Sequence, residues 1–169
     1  MKYLSAILIL AIPLLFSTCR EDDELPPITM EGKGTFGCLV NGKMMLGEGY
    51  LQNGTHADIY KGSDTVAVNI YGYRDGQTMF MSIIGVPDLK INERYSFINN
   101  DCCGLQYVEY TDTGQCTYEL PISGYVTLSR WDEGKNILAG TFQFTAESDE
   151  CPGTVVITEG RFDIGEIFY

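Results

Sequence analysis

Six cysteines and a single histidine are the side chains of this 169-residue chain best suited to covalent or metal chemistry. A Cys–His or Ser–His nucleophile pair would have to use His56. No GxSxG turn or catalytic-cysteine signature accompanies that residue. Its place between Gly54 and Asp58 marks a loop, where a solvated imidazole is expected. Zinc needs several Cys or His ligands at matched spacing, and the chain has neither CxxC nor HExxH. Carboxylate pairs of the glycosidase type have candidates by residue type at Asp132-Glu133, at Glu147 with Asp149-Glu150, and at Asp163. With 23 acidic residues such neighbours arise by chance, and they read as solvated turn residues. Calcium has the same oxygen ligands available, but no EF-hand spacing is present. The expectation is a non-enzyme with no catalytic residue, no metal and no cofactor.

Cys19 has a different setting from the other cysteines. Met1 and Lys2 give a short basic start, Tyr3 to Phe16 form an apolar run containing Pro13, and Ser17-Thr18 are small residues before Cys19. This is the layout of a secretory signal, and a spanning helix would need about 20 apolar residues. A cysteine at the cut resembles a bacterial lipobox, which implies that residues 1–18 are a signal peptide and that Cys19 is lipidated. The acidic run Glu21-Asp22-Asp23-Glu24 then resembles the export signal of surface-displayed Bacteroidetes lipoproteins. The resulting expectation is a protein lipid-anchored in the outer membrane and exposed at the cell surface. Residues 20–33 are charged, carry Pro26-Pro27 and hold few large apolar side chains, so 19–33 reads as a flexible linker.

Removing residues 1–18 takes away one charged residue, Lys2, and moves the net charge from −12 to −13. That balance argues against nucleic acid, which requires a basic face. Eleven tyrosines, nineteen glycines and no convincing 3.6-residue period point to strands and tight turns. Thr35 to Val40 runs into Asn41-Gly42, a strong hairpin signal, and Lys43 to Leu46 returns. Val66, Val68 and Ile70 alternate with Ala67, Asn69 and Tyr71. Met79 to Ile84 is apolar on both faces, as a central strand would be. Further strands are read near 94–98, 106–111, 115–120, 124–130, 138–144, 154–158 and 161–168. Short turns between about ten strands predict one antiparallel all-β domain over 34–169. Local hairpins favour an up-and-down barrel or half-barrel, with a two-sheet sandwich as the alternative. The expected core is Phe36, Val68, Ile70, Phe80, Ile83, Leu128, Leu138, Phe142, Phe144 and Ile157.

Cys38, Cys102, Cys103, Cys116 and Cys151 remain after lipidation, so at most two bridges form within the chain. Cys38 lies among Phe36, Leu39 and Val40 and reads as a buried free thiol. Adjacent Cys102 and Cys103 are not expected to pair, because vicinal geometry is strained. The expected bridge joins Cys116 to Cys102 or Cys103. A rival joins Cys116 or Cys102 to Cys151.

Glu24-Leu25-Pro26-Pro27, then Gly34-Thr35-Phe36-Gly37-Cys38-Leu39-Val40-Asn41-Gly42-Lys43, resemble the start of a family of uncharacterised Bacteroidetes lipoproteins. Leu138 to Phe144 and Ile157 to Asp163 resemble its ending. The resemblance implies location and single-domain architecture, not activity. Two function classes follow. The first is a surface binding module for glycan, peptide or a partner lipoprotein, with Tyr71, Tyr73, Tyr107 and Tyr110 as candidate contact aromatics. The second is a structural or accessory part of an envelope complex.

Overall fold

The computed structural model describes residues 24–47, 54–74, 76–98, 102–112 and 114–169. Cys19 and the segment before it lie outside these residues, as do Glu21 to Asp23. Among the described residues no helix is long and apolar enough to cross a membrane.

Strand formation follows the local chemistry. β1 (Thr35–Val40) and β2 (Lys43–Leu46) are joined by Asn41 and Gly42, whose φ angles are 50° and 78°. Two consecutive positive φ values are what a tight two-residue hairpin turn requires. β3 (His56–Lys61), β4 (Val66–Arg74) and β5 (Gln77–Val86) form a meander. It continues, after the short β6 (Arg94–Ser96), through β7 (Cys103–Thr111) and β8 (Gly114–Tyr118). β9 (Leu120–Asp132), β10 (Ile137–Glu147) and β11 (Thr154–Ile164) form a second meander, and β12 (Ile167–Phe168) ends the chain. Asp132 caps the 3-10 turn between β9 and β10 by accepting from the Lys135 amide.

The strands make two six-stranded sheets, ordered β2-β1-β11-β10-β9-β6 and β12-β3-β4-β5-β7-β8. The fold is all-β, as expected, but the sheets do not close into a barrel. The reason is where the chain changes sheet. A meander barrel needs each strand to pair with the next, whereas here β2 is not followed by a β2–β3 pair, β6 joins β9, and β11 returns to β1. The arrangement is sandwich-like, with twelve strands among the described residues rather than about ten. It is not wholly antiparallel, because β12 runs parallel to β3.

One continuous core fills the space between the sheets. Phe36, Phe142, Phe144, Leu128, Leu138 and Ile157 come from the first sheet; Val68, Ile70, Met79, Met81, Ile83 and Tyr107 come from the second. Phe36 reaches across to Gly72 of β4 so closely that a Cβ there would land on its ring. Phe80, expected in the core, is only half-buried, because in β5 Met79, Met81 and Ile83 take the inward positions. Among the described residues Cys38 is the free cysteine; it is buried, and burial pushes its thiol up to about 12.

Part of the expected linker is held against the domain. Asp163, 1 % exposed, accepts from Thr29 Oγ1 at 2.5 Å and from the amides of Glu31 at 3.0 Å and Gly32 at 2.7 Å. Arg130 donates to the Met30 carbonyl at 2.6 Å, and Arg161 to that of Pro26 at 3.4 Å. Residues 26–33 are thus a strap rather than a free tether, because a buried carboxylate collects its backbone donors.

The sulfur pairing also differs from the expected one. Cys116 bonds to Cys151, with Cα atoms 5.7 Å apart, and Cys102 bonds to Cys103. Cys116 sits opposite Glu109 on β7, six residues along that strand from Cys103. At about 3.3 Å per residue that separation is near 20 Å, beyond any disulfide. The Cys116–Cys151 bond instead ties the outer strand of one sheet to the β10–β11 loop of the other.

Candidate functional site

The outer face of the second sheet gathers most of the aromatic residues that the core does not use. Strand alternation decides which. Inward positions of β3 and β4 are Ala57, Ile59, Val68, Ile70 and Gly72, so His56, Asp58, Tyr60, Asn69, Tyr71 and Tyr73 face out. Register then sets the rows. His56 lies opposite Tyr71, Tyr71 opposite Phe80, and Phe80 opposite Gln106. One row away are Asp58, Asn69 and Ser82; on the other side are Tyr73, Thr78 and Val108.

The rings of the first row touch. His56 and Tyr71 have centroids 4.5 Å apart and planes 15° from parallel. Tyr71 and Phe80 are 5.1 Å apart, tilted by 47°. Phe168 of β12 meets the His56 ring edge-on at 5.7 Å. Neighbouring strands are about 4.8 Å apart, so stacked rings on adjacent strands must stand on edge. The row therefore turns ring edges outward: the Tyr71 hydroxyl and one imidazole nitrogen. His56 Nδ1 lies 2.8 Å from the Gly54 carbonyl. A carbonyl only accepts, so Nδ1 carries the proton and Nε2 keeps the lone pair in the neutral ring.

Tyr71 is held above its ordinary pKa, first by burial and next by the negative charge of Asp58 and the nearby Tyr60; its hydroxyl hydrogen-bonds with the side chains of Asn69 and Asp58. Gln106 Nε2 donates to Glu119 at 3.0 Å at the far end of the row. The surface is thus aromatic and phenolic, bounded by two carboxylates.

Of the four tyrosines picked out in the sequence, Tyr71, Tyr73 and Tyr110 share this face, with Tyr110 beyond Tyr73 near the β7–β8 turn and well exposed. Tyr107 does not share it. Inward parity on β7 buries that ring completely, and its hydroxyl accepts from Gln77 Nε2 at 3.0 Å. Burial, with Glu109 nearby, drives its pKa up. His56 is not a loop residue; it opens β3 and stacks. Asp58, Tyr60, Phe80 and Phe168 were missed as members of the face. Alternation through Asp58-Ile59-Tyr60 carried a signal for the first two, whereas the doubly apolar Met79 to Ile84 hid Phe80.

Comparison with protein families, with curated proteins and with solved structures finds no match to the chain.

A recess lies on the outer face of the first sheet. It runs beside Tyr125 and Gln143, where β11 bulges against β10 and Glu159 adopts a φ of 53°. Arg94 covers the Tyr125 ring at 4.2 Å, and Arg161 pairs with Glu159 at 3.3 Å. The polar groups there are largely engaged with one another and with the strap. Among the described residues no three His, Cys, Asp or Glu side chains gather as a metal site would require.

Proposed function

We propose that this chain is a cell-surface lipoprotein, anchored in the outer membrane through Cys19, and that its domain is a non-catalytic binding module. The observation that carries the reading is the row His56–Tyr71–Phe80 on the outer face of the second sheet, continued by Tyr60, Tyr73, Tyr110 and Phe168. Core packing does not call for that many aromatics on a solvent-facing surface, and tyrosine supplies rigid contact area with a polar tip. The lipobox-like Cys19 and the acidic run behind it support display outside the cell. The resemblance of both ends of the domain to a family of uncharacterised Bacteroidetes lipoproteins agrees with a lipid anchor.

Contact is best tested on intact cells carrying a photoreactive phenylalanine at position 73, with position 127 on the other sheet as control. A discrete adduct from 73 and none from 127 supports the reading. Adducts from 127 alone would favour the structural or accessory role instead. Protease shaving of the same cells should release the domain; protection until lysis would overturn surface display.

A further inference from the structure

We propose that the face takes a basic segment of a partner protein, with a Lys or Arg side chain seated at Asp58 between Tyr60 and Tyr71. This rests on the binding-module reading above and adds the chemistry of the partner.

The argument begins with the charges that alternation leaves on the sheet. β3, β4, β5, β7, β8 and β12 contain two cationic side chains, Lys61 and Arg74. Both stand at strand ends with the parity of the inward residues Ile59 and Gly72, and Lys61 is drawn away to Glu133 in the turn between β9 and β10. The outward positions therefore carry Asp58, with Glu119 beside Gln106, and no Lys or Arg. Asp58 sits opposite Asn69, one outward position from both His56 and Tyr60. Tyr60 is 57 % exposed. A carboxylate on a face without a Lys or Arg attracts a cation through its charge. The net charge of −12 adds a long-range pull on a basic partner.

Ring orientation separates this occupant from a glycan. A sugar would rest its C–H bonds on open ring faces, where the aromatic quadrupole is negative. His56 and Tyr71 instead turn those faces on each other and present edges. A methylene stem can lie across ring edges while its charged end reaches the carboxylate. From β12 to β7 the row spans about 19 Å, the length of roughly six extended residues.

The test uses the purified full-length chain in neutral detergent and a fluorescein-labelled peptide of alternating Lys and Ser. An alternating Glu-Ser peptide serves as control. Binding of the Lys peptide should weaken about fivefold in Asp58→Asn, as for a half-exposed charge pair. Glu150→Gln, the same charge change in the β10–β11 loop, should leave it within about twofold, and thermal melting checks that both variants fold. Equal weakening in both variants, or no difference between the Lys and Glu peptides, would overturn the proposal. An adduct from position 73 on cells together with either result would sink the basic partner while sparing the binding module. Absence of that adduct together with either result would sink both.

Discussion

His56 and Tyr71 stand face to face across β3 and β4, their rings 4.5 Å apart and 15° from parallel. The pair links the edge of the second sheet, where Phe168 closes on the imidazole, to its centre, where Phe80 leans on the phenol. A contact on one end of this row therefore bears on rings held by four strands.

Removing the middle of the row should cost stability as well as binding. Tyr71→Ala is expected to lower unfolding stability by about 2 kcal/mol, from half-buried area plus two ring contacts. Urea titration reads it, and a loss under about 0.5 kcal/mol would mean that the rings do not hold one another in solution.

The core should respond more strongly than the face. Phe142, 2 % exposed, packs on Phe36 with centroids 5.2 Å apart and on Phe162 at 6.4 Å. Phe142→Ala is expected to cost about 3–5 kcal/mol and Phe80→Ala roughly half as much. Equal costs would contradict the assignment of Phe80 to the outer face.

Much of this was legible because it is local. The Asn41-Gly42 turn, the alternation of Val68 and Ile70, and the β9–β10 hairpin are each written within a dozen residues. The pairing of β1 with β11 is not: Phe36 meets Phe162 across most of the chain, and the same hairpins would serve a barrel equally well. Phe80 was misplaced because Met79 to Ile84 is apolar on both faces, so period-2 alternation has no contrast to read. The bond from Cys116 to Cys151 depends on how the two sheets stack, which no spacing encodes.

That bond closes a separation of 35 residues, worth about 4 kcal/mol in the chain-entropy account. Peptide mapping of unreduced protein should recover Cys116 joined to Cys151. A peptide joining Cys116 to Cys102 or Cys103 would contradict the way the sheets are joined.

The strap should loosen in acid. Burial alone would raise the Asp163 pKa, but hydrogen bonds from Thr29 and from the amides of Glu31, Gly32 and Lys33 outweigh it and hold the carboxyl below its ordinary value. Its contribution is present above the unfolded value of about 3.9 and fades as pH falls through the lower folded one. Amide exchange at Gly32, corrected for intrinsic rate, should accelerate below about pH 4. Asp163→Asn should show that acceleration already at neutral pH.

Hydroxyl-radical footprinting of the tyrosines, on intact cells against the purified chain, bears most directly on the role of the aromatic face. Tyr60, Tyr73 and Tyr110 are expected to be oxidised readily in the purified protein and to be protected on cells, with Tyr125 and Tyr169 unchanged between the two. Equal oxidation of Tyr60 and Tyr73 in both settings, or protection confined to Tyr125, would contradict the assignment of the outer face of the second sheet as the contact surface.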